Sequence, residues 1–362
     1  MNATLSKREL LHSLLHLERV VPVRSVSPGL SLVRVEFGPN KLALAGSNMD
    51  IDIYATVAAE VSGEGELALP AHVFGQVVKG LPAETLELEL DDTELSLRSG
   101  AFETRLQLAE LSSSPKLEFA HDYPGTLPAT GLVEALEHVR YAAAVAEYQA
   151  VFRGVKLELA DGWTRAVATD GFRLAYYHLD ESSGLEGDIV IPGRCVDELI
   201  RILDGGDAGL NLVAGQLCVA CEGYRLNVKL MEGTFPDYSK IIPTAFPVSV
   251  TVDAALLSEA VSRVAVLADK TANNRVDLFI KDGTLQITAE GGYGHSKEQI
   301  DIQQEGSDPE IALAYNAKYL VDALTPVQGK VRVSFSGMST PSVIASLEEP
   351  SYLAMVVPLK IG

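Results

Sequence analysis

The sequence predicts an α+β protein that repeats one folding pattern three times. Two observations predict this class: a helical spacing of apolar residues recurs along the chain, and alternating, strand-like segments joined by Asp-Gly turns lie between the helices. The chain has 362 residues, of which 47% are hydrophobic, so it can form more than one packed core. We therefore expect three domains, each with two helices packed on antiparallel sheets.

The predicted helices are of two kinds. In the first kind, apolar residues fall at positions 10, 11, 14 and 17, and this spacing returns at 132–139 and, one place late at its end, at 256–264. The second kind occurs at 74–81, 196–203 and 317–324, so its copies are 122 and 121 residues apart. Six amphipathic helices in three pairs indicate a repeated domain, although few residues are identical between the copies.

The strands are predicted by alternation of apolar and polar residues between the helices. Segments such as LSLVRVEF and KLALAG in the first copy, and VDLFIKDGTLQITAEGG in the third, show this alternation. Asp-Gly pairs at 161–162, 170–171 and 282–283 predict hairpins. Each copy then contains about eight short strands, which suits a domain of this size. Pro-containing stretches near 112–125 and 235–247 predict domains that span 1–122, 123–247 and 248–362.

One hairpin carries more than a turn requires. In TRAVATDGFRLAYYHL, residues 164–179, the Asp170-Gly171 pair is followed at once by Phe172 and Arg173. A turn alone needs neither a large apolar ring nor a charge at its tip. This tip is therefore a candidate binding surface.

The charge of the chain is strongly acidic but unevenly distributed. The formal net charge is −20, which taken alone argues against tight binding to nucleic acid. The predicted helical segments carry ten Lys and Arg against eleven Asp and Glu, a net −1 that leaves −19 for the rest. Either this is ordinary scatter, or the helices share a near-neutral surface that faces a polyanion. The segments counted are 7–19, 71–81, 131–144, 193–207, 254–270 and 316–329.

Sequence signatures of catalysis and of metal binding are weak. The phosphate-binding GxxxxGK[ST] loop, the GxSxG elbow and the HExxH motif do not occur in the sequence. Cys218 and Cys221 form a CxxC pair, but the segment is typical of a strand, which would point them to opposite faces. His12 and His16 are one helical turn apart, and no third ligand is suggested. We expect no catalytic residue, no metal and no cofactor.

The sequence also suggests a compartment. Its N-terminus lacks the apolar core of a secretion signal, and it contains no run of 18 apolar residues. Three cysteines in a chain of this length fit a reducing environment. We expect a soluble, cytoplasmic protein with no membrane partner.

Five segments in combination resemble the bacterial DNA sliding clamp, the β subunit of DNA polymerase III. They are ATDGFRLA, DELIRILDGGD, EGTFPDYSKIIP, NAKYLVDAL and YLAMVVPLKIG, and the resemblance spans the whole chain. It implies the DNA-clamp fold, in which two three-domain chains join head to tail as a ring-shaped homodimer around double-stranded DNA. The implied function is that of a non-catalytic processivity factor, which slides without sequence specificity. Its implied partners are the catalytic subunit of the replicative polymerase, the clamp loader and other replication and repair proteins, all bound by short peptide motifs.

The resemblance further implies an apolar cleft that binds partner peptides. The hairpin tip, the connector between the second and third domains and the C-terminal segment would form it, with Arg173 placed to bind a peptide carbonyl or carboxylate. Phe172 stands where many relatives have His, and Lys240 and Lys360 stand where Arg is common, which is not an equivalent residue at a bidentate site. Asn273 replaces a common aromatic residue and is left out of the set. The implied cleft residues are Phe152, Thr169, Gly171, Phe172, Arg173, Leu174, Pro236, Lys240, Ile241, Asn316, Tyr319, Val357, Pro358, Leu359 and Lys360.

Two further surfaces are implied by the resemblance. Arg24, in the loop after the first helix, and Arg194, at the start of the fourth, match basic positions that contact DNA. At the seam between chains, Leu106 and Leu108 on an edge strand are expected to meet residues 266 and 267 of the partner subunit's third domain. In this chain those two positions are Val266 and Leu267. Pairing of two edge strands would continue the sheet across the seam.

Two alternatives to an encircling clamp remain open at this point. A peptide-binding scaffold of the replication or repair machinery would share the repeats and the cleft, but it would be a monomer that does not surround DNA. An enzyme with a site assembled across domains is the other alternative, although no nucleophile, base and orienting group can be grouped from the sequence.

Overall fold

A computed structural model of the chain describes residues 1–145 and 150–360. The chain divides into two compact units. The first comprises Met1–Thr130, Ser183–Leu185 and Asp197–Leu230. The second comprises Gly131–Ser182, Glu186–Val196 and the chain from Met231 onward. Each unit is described below by itself.

The described residues contain six α-helices, in the three pairs that the apolar spacing predicts. They are α1 Lys7–Val20, α2 Ala71–Gly80, α3 Ala129–Arg140, α4 Gly193–Ile202, α5 Ala254–Ala265 and α6 Ala317–Leu324.

Side-chain caps explain where several of these helices begin. The side chains of Ser6, Asp253 and Asn316 accept hydrogen bonds from backbone N–H groups in the first turns of α1, α5 and α6. Helices α3 to α6 end four or five residues before the segments predicted at 131–144, 193–207, 254–270 and 316–329, although their apolar spacing stops close to the observed ends. After α4, Gly205 and Gly206 both adopt positive φ angles, +73° and +65°, which end the helical conformation.

The strands also follow the predicted repeat. The first repeat contributes β1 Asn2–Ser6, β2 Leu32–Gly38, β3 Lys41–Ser47, β4 Ile51–Ser62, β5 Gly65–Pro70, β6 Thr85–Leu90, β7 Glu94–Ser99 and β8 Phe102–Gln107. The second contributes β9 Gly125–Pro128, β10 Gly154–Ala160, β11 Trp163–Thr169, β12 Arg173–Leu179, β13 Gly187–Pro192, β14 Asp207–Val213, β15 Gln216–Cys221 and β16 Tyr224–Lys229. The third contributes β17 Val248–Asp253, β18 Arg275–Lys281, β19 Thr284–Gly291, β20 Gly294–Asp301, β21 Gln303–Gly306, β22 Glu310–Asn316, β23 Lys330–Phe335, β24 Ser342–Ser346 and β25 Tyr352–Val356.

Strands of neighbouring repeats share sheets, and the pairs are antiparallel. In the first unit a twelve-stranded sheet has the order β8-β7-β6-β1-β4-β16-β15-β14-β9, with β3, β2 and β5 branching from β4. In the second unit a nine-stranded sheet has the order β13-β10-β11-β12-β25-β24-β23-β17-β21, and a four-stranded sheet has the order β20-β19-β18-β22. The pairs β4–β16 and β12–β25 therefore join one repeat to the next by backbone hydrogen bonds.

Helix α1 covers part of the first unit's core and buries an ionisable ring there. Leu10, Leu14 and Leu17 are fully buried, and His16 is buried beside them. The His16 ring lies edge-on to Tyr224 of β16, with 5.5 Å between ring centroids. Burial is the main reason that the pKa of His16 falls to about 4, and nearby cationic side chains lower it further. The ring is therefore neutral at neutral pH.

No helix among the described residues is both long enough and apolar enough to cross a lipid bilayer.

The buried His16 predicts a loss of stability in acid. In the unfolded chain His16 takes up a proton near its ordinary pKa of 6.5, whereas in the folded chain it does so at about 4. Unfolding then binds a proton between these pH values, so stability falls as the pH drops through this window, by up to about 1.4 kcal/mol per pH unit. From about one pH unit above 6.5 upward, this residue contributes almost no pH dependence, because it is then neutral in both states. We expect urea unfolding of His16→Gln to show a shallower acid slope than the wild type. His121→Gln, which changes an exposed histidine outside α1, should keep the steep slope; equal slopes in all three proteins would contradict the assignment.

Candidate partner-binding cleft

The tip of the hairpin between β11 and β12 contains four residues, 170–173, because Thr169 pairs with Leu174. The Asp170 carboxylate stabilises it, since its Oδ1 accepts hydrogen bonds from the N–H groups of Phe172 (2.9 Å) and Arg173 (3.0 Å). The Thr169 hydroxyl donates to the carbonyl of Arg173 (2.7 Å) and accepts from the N–H of Gly171 (3.1 Å). Side-chain bonds therefore fix the tip.

Phe172 projects from this fixed tip with 55% of its surface exposed. Its carbonyl accepts a hydrogen bond from the N–H of Val357 (2.9 Å), which ties the tip to the C-terminal segment. Phe152 lies on the other side, where a Cβ added to Gly171 would be 3.7 Å from the Phe152 ring. Phe152 in turn packs edge-on against Phe235, with 6.2 Å between ring centroids. The structure thus brings the tip, Phe152 and the C-terminal segment together.

An apolar cluster supports this surface from below. Leu174 is one of its members and is only 1% exposed, so it belongs to the core and not to the open wall. Met231, Ile242 and Phe246 are partly buried and pack against the cluster. The buried members of the cluster are Val167, Leu174, Val190, Phe235, Tyr238, Val343 and Met355.

Arg173 has an internal role, which differs from the expectation that it reaches a peptide carbonyl or carboxylate. Its side chain is only 7% exposed. Its Nε donates to Oδ2 of Asp170 (3.0 Å), and one terminal nitrogen donates to Oδ2 of Asp322 (2.5 Å). A buried guanidinium requires such partners, since an unpaired buried charge is strongly destabilising. In this structure Arg173 is committed to the protein's own carboxylates.

The connector carries the next predicted residues on a short 3₁₀ helix, Tyr238–Ile241. Ile241 is 52% exposed, and Pro236 and Lys240 are also exposed. Lys240 forms an ion pair of 2.8 Å with Asp237.

Two aromatic residues that the sequence argument did not select hold this connector in place. The Tyr238 hydroxyl donates to Glu158 (2.7 Å) and accepts from Arg165 (3.2 Å). The ammonium group of Lys156 lies 5.9 Å from the ring centroid of Phe235 and 6.0 Å from that of Tyr238. The sequence offered one signal for these two residues: Phe235 and Tyr238 flank Pro-Asp in the segment FPDY.

The C-terminal segment and helix α6 complete the predicted set. The N–H of Leu359 donates to the carbonyl of Ala314 in β22 (2.7 Å), and Pro358 is buried. Asn316 caps α6 by accepting from the N–H of Lys318 (3.0 Å). Tyr319 follows on α6, with its ring centroid 4.5 Å from Cζ of Arg173. Val357 and Leu359 are half-buried, whereas Lys360 is exposed.

The candidate DNA and seam residues are found in both units. In the first unit, Arg24 is exposed in the loop after α1, and Leu106 is half-buried on β8, whose one partner among the described strands is β7. Leu108 directly follows that edge strand and is also half-buried. In the second unit, Arg194 is exposed on the first turn of α4.

Val266 and Leu267 follow α5 in the second unit, where helix had been expected. Val266 is 80% exposed. A Cβ added to Gly294 at the start of β20 would lie 3.9 Å from the Leu267 side chain. Among the strands of residues 1–145 and 150–360, β20 pairs with β19 alone, so this apolar pair lies beside an open sheet edge.

The cysteines and histidines were weak candidates for a metal or redox centre. Cys218 and Cys221 lie three positions apart on strand β15, as predicted, and burial raises the pKa of the Cys221 thiol to about 11. Within residues 1–145 and 150–360, no three His, Cys, Asp or Glu side chains come together as metal ligands.

Comparison with known proteins gives a consistent result along the chain. Three family models match in order: the N-terminal, central and C-terminal domains of the DNA polymerase III beta subunit, at residues 1–121, 126–237 and 239–360. The beta sliding clamp of Proteus mirabilis is 28% identical over 370 residues, which cover 100% of both chains. That of Bacillus subtilis is 24% identical over 376 residues, covering 99% of this chain and 100% of the relative.

Solved structures give the same result for the fold. The crystal structure of the sliding clamp, DNA polymerase III subunit beta, from Pseudomonas aeruginosa matches with a TM-score of 0.93 at 25% identity. The beta subunit from Thermotoga maritima matches with a TM-score of 0.92 at 25% identity. Both matches cover 100% of each chain. The resemblance seen in the sequence is confirmed, and so is the predicted clamp fold. Because the three family models together account for nearly the whole chain, this protein belongs to the DNA polymerase III beta-subunit family, the bacterial sliding clamps.

Proposed function

We propose that this sliding clamp closes around duplex DNA as a head-to-tail dimer and holds its partners by short peptides inserted beside Phe172. As a processivity factor it keeps DNA polymerase close to the primer end, where rebinding is faster than escape because the local concentration is high. The observation that carries the proposal is the convergence of the fixed hairpin tip, the connector and the C-terminal segment over one apolar cluster. The proposal assigns no chemical step to this chain.

The cleft suits an extended peptide with apolar anchors. Phe172 and Ile241 are large apolar residues that are more than half exposed, next to a well-packed core. Exposed apolar side chains in such a setting are typical of binding hot spots. Since Arg173 is bonded to Asp170 and Asp322, we assign recognition of the peptide to apolar contacts and backbone groups, and not to that guanidinium.

The seam between the two subunits is assigned to the open edges of β8 and β20. Each of these strands lacks a neighbour on one side within the described chain, and each has apolar residues at or beside it, Leu106 and Leu267. Pairing an edge of one protomer with the other edge of its partner would satisfy both rows of backbone groups. Used twice, this heterologous contact closes a ring.

The remaining assignments follow from the family. We propose domains at 1–122, 123–247 and 248–362, close to the matched ranges 1–121, 126–237 and 239–360. Arg24 and Arg194, both exposed, are proposed as contacts to DNA phosphates. A clamp loader driven by ATP would open the ring, and it would use the same cleft as the polymerase.

Removing the apolar wall should eliminate peptide binding. Phe172→Ala alone should weaken binding of a fluorescein-labelled peptide with Leu-Phe anchors at least about tenfold, because burial of a Phe side chain contributes roughly 1.5–3 kcal/mol. Combined with deletion of 358–362, binding should become undetectable by fluorescence anisotropy, while sedimentation still shows the dimer. Val213→Ala, which trims an exposed apolar residue of β14, serves as the matched control. Unchanged peptide affinity in the Phe172 variant would contradict the cleft.

Charges at the β8 edge should separate the subunits. Leu106→Lys with Leu108→Lys would place two cations in an apolar seam, where their desolvation is unfavourable. We expect sedimentation velocity to show a monomer that still binds the Leu-Phe peptide. Leu347→Lys, at an exposed site in the second unit, should remain a dimer. If the double variant remained a dimer, the seam would have to lie elsewhere on the chain.

Encirclement predicts that retention depends on DNA topology. Clamp loaded on nicked circular DNA should stay bound through gel filtration, and linearisation at one restriction site should release it, since the ends allow the ring to slide off. A non-encircling scaffold would leave circular and linear DNA equally fast, and that result would favour the alternative. Blocking both ends with bound protein should restore retention on the linear DNA.

A further inference from the structure

Four charged side chains of alternating sign connect helix α6 to the hairpin tip. Lys318 contacts Asp322 at 2.7 Å, Asp322 contacts Arg173 at 2.5 Å, and Arg173 contacts Asp170 at 3.0 Å. Exposure decreases along this series, from 66% for the Lys318 side chain to 7% for that of Arg173. The outer pair is therefore solvent-screened, whereas the inner pairs lie in a low-dielectric environment where removal of one partner is costly.

Aromatic side chains enclose the inner part of this series. The Arg173 guanidinium lies 4.5 Å from the ring centroid of Tyr319 and 5.4 Å from that of Tyr141. The Tyr141 and Tyr352 hydroxyls are 2.7 Å apart, and that of Tyr352 donates to the carbonyl of Ala323 (2.8 Å). Burial raises the pKa of both tyrosines, so their hydroxyls stay protonated. The guanidinium is thus held from its faces by rings and from its edge by carboxylates.

The inner part of this series is bonded to the backbone of the hairpin tip. One oxygen of Asp170 accepts the N–H groups of Phe172 and Arg173, and its other oxygen accepts from the Arg173 guanidinium. Asp322 holds the guanidinium from α6, 149 residues away along the chain. Without Asp322, the guanidinium would lack its second carboxylate and would be drawn toward solvent, taking Asp170 with it.

We propose that Asp322 is a positioning residue for the partner-binding cleft: through Arg173 and Asp170 it keeps the hairpin tip in the one conformation that presents Phe172 to a peptide. This inference rests on the proposed function of the cleft. Asp322 acts before binding, because a tip that is competent for only a fraction of the time weakens apparent affinity by that fraction. Its effect is therefore one of preorganisation, and not of contact with the peptide.

Rate constants separate positioning from contact. For Asp322→Asn, which is nearly isosteric but uncharged, the association rate constant of the labelled Leu-Phe peptide should fall about tenfold, with its dissociation rate constant nearly unchanged. Phe172→Ala should instead increase the dissociation rate constant and leave the association rate constant nearly unchanged, since a lost contact speeds dissociation. Lys318→Gln removes only the exposed end of the series and should leave both constants unchanged. Asp322→Glu, which keeps the charge, should recover most of the association rate. Faster dissociation with unchanged association in Asp322→Asn would overturn the positioning role.

Hydrogen exchange tests the tip without any peptide. The N–H groups of Phe172, Arg173 and Val357 should exchange at least about tenfold faster in Asp322→Asn, while those of β18 keep their wild-type rates. If Asp322→Asn does not fold, Arg173→Lys gives the same test, because a single ammonium cannot bond to both carboxylates as the guanidinium does. Wild-type protein that fails to bind the peptide would overturn the proposed cleft, and with it the role of Asp322. Normal peptide binding, together with unchanged exchange and rates in the variants, would overturn this inference alone.

Discussion

The pairing of β12 with β25 is the constraint on which the cleft depends. These strands come from the second and third repeats, and their antiparallel register aligns Leu174 with Met355, 181 residues later in the chain. Because side chains alternate across a strand, a slip of one strand by one residue would turn its member of this pair from the apolar cluster to the opposite face. The same slip would move the carbonyl of Phe172 away from the N–H of Val357, which ends the link between tip and C-terminal segment. Backbone register therefore defines the site before any side chain acts on it.

Two kinds of interaction then share the work at this site. Apolar burial in the cluster around Leu174 and Phe235 supplies stability, but it is non-directional and would tolerate several tip conformations. The carboxylates of Asp170 and Asp322 add little net stability once their desolvation is included, yet they fix the direction of the Arg173 side chain. A loop that must present one ring for binding needs the second kind of interaction as well as the first.

The sequence predicted the elements of this fold well and their connections less well. Helix starts were predictable because caps such as Asp253 and Asn316 precede the apolar spacing, whereas helix ends were placed too late where the predicted segment ran past Gly205. The hairpin at 170–171 was predicted, but its width depends on one carboxylate that can bond to two amides, a choice that composition does not reveal. Likewise, Asn273 has a positive φ of +60°, which Asn tolerates better than an aromatic residue and which no local pattern indicated.

The role of Arg173 was the least predictable feature of the site. Its position at a turn indicated exposure, and only the fold brings Asp322, from another repeat, within bonding distance of it. Residues such as Leu174 and Phe235 were similarly ambiguous, since an apolar residue in a strand or connector reads alike whether it supports a surface or forms it. Family resemblance could select the right segments, but the division between wall and support required coordinates.

The acidity of the chain is compatible with binding around DNA, because the net charge of the helical residues is close to zero. The six helices as observed contain nine Lys and Arg and eight Asp and Glu, a net charge of +1. Since the whole chain has a net charge of −20, the residues outside these helices carry −21. The predicted segments carried a net charge of −1 because they extended past the observed ends of α4 and α5. The extra residues there include three Asp and one Lys. Each phosphate that a protein neutralises strengthens binding but also adds a contact that must break before the protein can move along the duplex. A ring held by topology needs few such contacts, so a nearly neutral set of helices in an acidic chain favours movement over grip.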